Sequence, residues 1–296
     1  MEPAARAILL AALVTVVGIA GCLGSPAAEE PASEELGAHE TPPTQPADDA
    51  VQAVADAAEG ALASPPGAPE FPVLRQYGCT TTFGRFDAPM TWAQEQMPAG
   101  FAPRSGVTGD SAVFLVKTWT CARGTIGDRP VEGPAHAIYY LPVKAPSQYA
   151  SANGNDYVLL GWIASDPEET AVYRAWNFPA ETGEVSVSAT RLAAAVAGKT
   201  RAVGGGSSIE LDLASQSPTA FGDYMARYFG VSAGSVANAV DIFVGGGEQG
   251  SFGAAALSIA GPRQPFTTPV AGSASTQFWP AETMTYQWTY VPVRSG

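Results

Sequence analysis

Beyond residue 70 the chain alternates apolar and polar side chains with a period of two, the pattern of strands that bury one face. Ser111-Ala-Val-Phe-Leu-Val-Lys-Thr-Trp-Thr-Cys121 reads as a strand as well, apolar without a break from Ala112 to Val116. As a strand it sets Val113, Leu115, Lys117, Trp119 and Cys121 on one face, and Ala112, Phe114, Val116 and Thr118 on the other. Residues 185–188 and 208–213 read as further strands. Residues 240–244 and 251–260 flank a glycine-rich turn and read as a hairpin. Residues 283–291 alternate Met284, Tyr286, Trp288 and Tyr290 with Thr and Gln, which predicts a half-buried antiparallel strand. One helix is well punctuated. Ser165 or Asp166 supplies an N-cap, Pro167 opens the first turn, Glu168 and Glu169 sit at the positive dipole end, and the helix runs on to Trp176. Shorter helices are predicted at residues 91–97 and 221–229. No internal repeat is present, so residues 71–296 are expected to form one α+β domain.

The N-terminus follows different rules. After Arg6, residues 7–21 form an apolar run of the length of a signal-peptide core, short for a membrane span. It ends in Ile19-Ala-Gly-Cys22, which resembles the lipobox at which prokaryotic lipoproteins are cleaved and lipidated. Residues 1–21 are therefore expected to be a lipoprotein signal peptide, with Cys22 carrying lipid on the extracytoplasmic face of the cell membrane; an uncleaved membrane helix is the alternative. Residues 22–70 are rich in Ala, Pro and Glu, lack aromatic residues and hold ten acids and no base. Such a segment cannot bury enough apolar surface to offset its ordering entropy, so it reads as a disordered tether. Residues 48–62 within it have the composition of a marginal helix, and an acidic interaction tail is the other reading of the segment.

That partition changes the meaning of the charge. The chain of 296 residues carries a net −13. Ten of those units belong to the tether, and the remaining 17 acids and 14 bases leave the domain at −3. The balance offers nothing to attract nucleic acid. With Cys22 assigned to lipid, Cys79 and Cys121 remain, and an even pair in an exported domain is read as one disulfide, two free thiols being the alternative.

Three motifs occur without their usual context. Ala193-x-x-x-x-Gly198-Lys199-Thr200 follows a helix-like run instead of a strand, Gly245-Gly-Gly-Glu-Gln-Gly250 lacks a downstream ribose-binding acid, and Gly230-Val-Ser-Ala-Gly234 has no later histidine to act as base. The two histidines, His39 and His136, argue against catalytic zinc, and no cofactor is expected.

Val172-Tyr-Arg-Ala-Trp-Asn-Phe-Pro-Ala-Glu-Thr-Gly-Glu-Val-Ser-Val-Ser188 resembles the acetoacetate decarboxylase segment Arg-Glu-x-x-Gly-(Phe/Tyr)-Pro-Lys-Lys and the strand after it. Met97-Pro-Ala-Gly-Phe-Ala-Pro103 with the strand from Ala112, and His136-Ala-Ile-Tyr-Tyr-Leu-Pro-Val143, resemble two further segments of that family in the same order. The resemblance implies a mostly antiparallel, strongly bent β-barrel or cone around a pocket, with a few peripheral helices. It also implies a Schiff-base lysine and a neighbouring cation, but Ala180 and Glu181 stand at those two positions. Alanine forms no imine, and a carboxylate raises the pKa of a nearby amine.

Of the three lysines, Lys117, Lys144 and Lys199, the first lies on an otherwise apolar strand face, where an amine titrates low. The candidate pocket residues are Lys117, Glu132 (near where the resemblance places a pocket carboxylate), His136, Arg174 and Glu181. Three functions fit: a lipid-anchored domain binding a small organic molecule, a lyase or hydratase using Lys117 or Glu132, and a structural or partner-binding surface lipoprotein.

Overall fold

Residues 111–119 are buried without a break, so both faces of this strand are covered, and that double burial organises the domain. A computed structural model describes residues 72–192, 195–216, 219–222, 224–278 and 284–291. The signal segment, Cys22, His39 and the acidic tether with its predicted helix at residues 48–62 lie outside the described residues. In chain order the strands are β1 (Leu74–Pro89), β2 (Ala102–Pro103), β3 (Ser111–Ile126), β4 (Arg129–Glu132), β5 (Ala135–Lys144), β6 (Asp156–Ala164), β7 (Ala180–Arg191), β8 (Ala195–Gly204), β9 (Ser207–Gln216), β10 (Thr219–Phe221), β11 (Tyr224–Ser232), β12 (Ser235–Val244), β13 (Gly247–Ala260), β14 (Val270–Phe278) and β15 (Met284–Val291). Two helices accompany them, α1 (Met90–Glu95) and α2 (Pro167–Ala175).

The pairings close the bent sheet into two rings that share a wall. The larger ring runs β1-β3-β5-β6-β7-β8-β9-β13-β14 and returns to β1; the smaller runs β1-β3-β5-β6-β11-β12-β15 and returns to β1. Only β6–β7 and β6–β11 pair in parallel among the described strands. The architecture is thus α+β, mostly antiparallel and strongly bent, with closure removing most free edges. Side chains from the two faces of the shared wall feed two separate cores. Phe114 and Val116 of β3 join Ala137, Tyr139 and Leu141 of β5 and Leu211 of β9 in one. Leu115 and Trp119 join Ile138 and Tyr140 of β5, Trp162 of β6 and Tyr228 of β11 in the other. A strand covered on both sides reads as a continuous apolar run, which is what residues 112–116 are.

The helix α2 forms as its punctuation predicts. The Asp166 side chain accepts from the Glu168 and Glu169 amides at 2.8 and 2.9 Å. Glu169, however, is fully buried, which dipole pairing alone does not require.

Three expectations are corrected. The helix expected over residues 221–229 is not formed where it is described: β10 ends at Phe221 and β11 runs from Tyr224, with Ala226 and Tyr228 in one core and Phe229 in the other, a period of two. Residues 240–244 and 251–260 are strands but not a hairpin. β12 pairs with β11 and β15, whereas β13 pairs with β9, β10 and β14, so the chain crosses from the small ring to the large one at Gly245-Gly246. The run before Gly198 is not helical where it is described, since β8 begins at Ala195. Gly198 serves packing: a Cβ there would lie 2.8 Å from Leu213 Cδ1 and 3.0 Å from Thr82 Cγ2. The Gly230-x-Ser232-x-Gly234 motif is a hairpin between β11 and β12, its two turn residues Ala233 and Gly234 at φ 49° and 75°.

Cys79 and Cys121 face each other across β1 and β3 and are joined as a disulfide. The bridge closes a loop of 42 residues, for which chain entropy gives about 4 kcal/mol. Replacing both cysteines with alanine is expected to lower the unfolding free energy in urea by about that amount. An unchanged midpoint would show that the sheet register already does the bridge's work.

Candidate active site around Lys117

The β3 register sets Lys117 opposite Phe83 of β1 and Ile138 of β5, and the period of two turns its side chain to the Trp119 side of the wall. That side is apolar, and Lys117 is only 5% exposed. The amine lines a pocket of about 220 Å³ with Phe83, Tyr140, Tyr157, Tyr224, Tyr228 and, at its polar side, Gln249 and Gln277. Nζ lies 3.5 Å from Tyr224 Oη and 5.5 Å from the centre of the Trp119 ring. Burial lowers the Lys117 pKa from 10.5 to about 7, because a charged amine loses its hydration there.

The phenols answer to the same cause. Burial raises the pKa of Tyr140, Tyr157, Tyr224 and Tyr228, so all four stay neutral O–H groups at physiological pH. Tyr157 and Tyr228 stack at 5.1 Å, with Tyr140 edge-on to both. Gln277 Nε2 donates to Gln249 Oε1 at 3.1 Å, fixing the amides at the polar side. Lys117 is the one ammonium-forming group among the described lining residues, and none of them is a carboxylate. The arrangement pairs an amine that is substantially neutral at pH 7, hence nucleophilic, with phenols able to donate to an oxygen.

The other sequence candidates lie elsewhere. Glu132 is exposed on β4 opposite Arg123 and does not line the pocket. Arg174 is spent on local structure, its Nε donating to the Ala180 carbonyl at 2.7 Å, and so fixes the chain between α2 and β7. Ala180 is buried in the core that receives Trp119 and Trp162, the same side of the wall as Lys117. Glu181 turns the other way, toward Gly205 and Tyr139. His136 is fully buried behind Trp119, stacked on its ring at 4.6 Å.

Around His136 lies a polar network that sequence reasoning missed. Gln76 Oε1 accepts from Trp119 Nε1 at 2.7 Å, and Gln76 Nε2 donates to Glu169 Oε1 at 3.2 Å and lies 2.7 Å from His136 Nε2. Glu169 Oε2 is 3.2 Å from His136 Nε2, and Trp162 Nε1 is 3.2 Å from its Nδ1. Gln76, His136 and Glu169 are all 0% exposed, so each depends on the others for polar contacts that water does not supply. No three His, Cys, Asp or Glu side chains converge as a metal site among the described residues.

Comparison with solved structures finds an acetoacetate decarboxylase-like enzyme from Sphingomonas wittichii RW1 at a TM-score of 0.51 and 12% identity, covering 78% of this chain and 97% of that one. The fold is acetoacetate decarboxylase-like. The enduracididine biosynthesis enzyme MppR complexed with pyruvate follows at 0.47 and 9% identity, covering 77% of this chain and 93% of that one. Acetoacetate decarboxylase from Legionella pneumophila matches at 0.44 and 10% identity, over 79% and 94% of the two chains. No protein-family model matches the sequence, and no curated protein matches it. At 12% identity the likeness extends to the fold and not to the reaction.

A buried amine with a lowered pKa has a stability signature. Below pH 7 Lys117 is protonated in folded and unfolded chains alike, and the folded state bears the cost of the buried charge. Between about 7 and 10.5 the folded amine is neutral while the unfolded one takes up a proton, so this cost shrinks as pH rises. Lys117→Met should therefore stabilise the domain by up to on the order of 4 kcal/mol at pH 6, with the gain fading by pH 10. Thermal melts across that range check it, and a gain independent of pH would contradict the buried amine.

Proposed function

We propose that this protein is a lipid-anchored, extracytoplasmic domain that binds a small organic molecule bearing a carbonyl or carboxyl group in the Lys117 pocket. The observation that carries the reading is one buried amine, titrating near 7, in a pocket otherwise walled by neutral phenols and amides. A ligand oxygen would meet O–H and N–H donors from several strands, and a flat body would lie among the tyrosine rings. A pocket of about 220 Å³ exceeds the roughly 150 Å³ that holds benzene. The Cys79–Cys121 disulfide supports export, since such bonds persist in oxidising compartments. The lipobox-like Ile19-Ala-Gly-Cys22 supports the anchor on the membrane's outer face.

One observation favours a second reading, a lyase or hydratase acting through an imine. The amine sits beside the Tyr224 hydroxyl, a proton donor for the carbonyl oxygen as Nζ adds to the carbon and for the resulting hydroxyl as it leaves in water. Addition gives a carbinolamine, and loss of one water gives the imine. Glu132, exposed and outside this pocket, is not assigned a role in this reading.

Thermal shift against short keto acids, aldehydes and carboxylates separates these readings. A ligand at about 100 times its Kd should raise Tm by roughly 5–10 °C in the wild type and not in Lys117→Met. Borohydride added with a carbonyl hit should fix a mass adduct on Lys117 if the second reading holds. A hit without an adduct leaves binding alone, and a panel with no saturable hit would sink both. Independently, labelled fatty acid supplied to the cells should be incorporated into the wild type and not into Cys22→Ser; a wild type that takes up no label would point to the uncleaved helix.

A further inference from the structure

The polar network behind the pocket meets Lys117 through one side chain. Trp119 follows Lys117 by two residues on the same strand face, and its ring centre lies 5.5 Å from Nζ. The ring cannot turn freely. Its Nε1 donates to Gln76 Oε1 at 2.7 Å, one face stacks on His136 at 4.6 Å, and Trp162 meets its edge at 5.9 Å. Gln76 is oriented in turn by Glu169, which accepts from its Nε2 at 3.2 Å. Such a buried clamp fixes the indole plane, and the plane it fixes is the one presented to the amine.

We propose that Gln76 and Trp119 are positioning residues for Lys117: Gln76 locks the indole plane, and the locked ring holds the amine at the pocket wall and stabilises its charged form. This rests on the Lys117 pocket being the binding site. An indole face attracts an ammonium group and does little for a neutral amine, so it opposes the desolvation that favours neutrality. Among the described lining residues, the titratable groups beside Nζ are Tyr140 from β5, Tyr157 from β6, and Tyr224 and Tyr228 from β11; Phe83 of β1, Gln249 of β13 and Ser275 and Gln277 of β14 carry no charge. Burial keeps those phenols neutral, and none of the described lining residues is a carboxylate that would outweigh the Trp119 ring. The device leaves the amine close to the protonation midpoint at neutral pH, where it can either hold a carboxylate or attack a carbonyl.

The full-length protein, reductively methylated with formaldehyde and cyanoborohydride from pH 5.5 to 9, tests this by peptide mapping, which separates Lys117 from Lys144 and Lys199. The wild-type Lys117 rate should rise with a midpoint near 7. Trp119→Phe, which keeps a ring but loses the N–H, should move that midpoint down by on the order of half a pH unit, and Trp119→Leu by on the order of one. Gln76→Met, which frees the indole, should move it in the same direction by less, with circular dichroism confirming a folded domain in each case. A midpoint unmoved in folded variants overturns the proposal while leaving the pocket reading intact. A wild-type Lys117 that never reacts while Lys144 and Lys199 do would instead overturn the accessible pocket. A measurement that needs no variant stands beside these: the Lys117 ε-methylene protons should be shifted upfield by the indole ring current in the unaltered protein. Their resonance at ordinary positions would overturn the positioning role whatever the variants do.

Discussion

The structure depends on the burial of both faces of the wall formed by β1, β3, β5 and β6. Each ring needs that wall, and each core takes alternate residues from it. A strand in such a place has no solvent side on which to put a polar residue. Lys117 therefore cannot sit on β3 as an ordinary surface lysine. Its register commits it to the small-ring side, and the cost of burying an ammonium there is met by lowering its pKa and by giving it a pocket, a phenol and an indole face. Polar groups elsewhere on the wall obey the same constraint. Thr82, Thr118 and Thr200, also fully or nearly fully buried, bond one another at 2.5–3.1 Å across the large ring.

The same constraint separates the Lys117 amine from the lysine pair that the sequence resemblance implies. In the resembling enzymes the lysine pair follows the Phe-Pro turn into a strand, and that turn exists here as Phe178-Pro179 at the start of β7. Ala180 fills the first of those places as core, and Glu181 turns away. The amine that reaches the small-ring side comes from β3. A neighbouring cation is not what lowers its pKa; desolvation does. These are two physically distinct routes to a neutral amine, and they need different surroundings. A lysine pair tolerates water nearby, whereas a desolvated lysine demands the aromatic enclosure that Phe83 and the four tyrosines form.

Much of the fold was legible because the relevant signals are local. The apolar run at residues 112–116, the cap at Asp166 with Pro167, and the Met284–Val291 strand each declare themselves within about ten residues. Tyr224-Met-Ala-Arg-Tyr-Phe was misread as a helix because its period of two spans too few residues to outweigh composition, and the two strands on either side of Gly245-Gly246 were paired because adjacency in sequence suggests a hairpin. Neither short segment records that the chain is changing rings. Lys117 was visible as an amine on an apolar face. Its tyrosines and the Gln76–Glu169–His136 network were not, because their members are far apart in the chain, 107 residues from Lys117 to Tyr224 and 93 from Gln76 to Glu169, and meet only when the rings close. Glu132 and Arg174 were chosen by position along the resemblance, and register sends one to solvent and the other to a backbone carbonyl.

The central claim is that Lys117 is a buried amine poised near neutrality inside a formed pocket. NMR of protein carrying ¹³C-labelled lysine side chains reads this directly, since the chain has three lysines and Lys117→Met assigns the signal. One ε-carbon resonance should titrate with a midpoint near pH 7 and vanish in Lys117→Met. Three resonances that all stay unmoved between pH 5 and 9 would contradict the account.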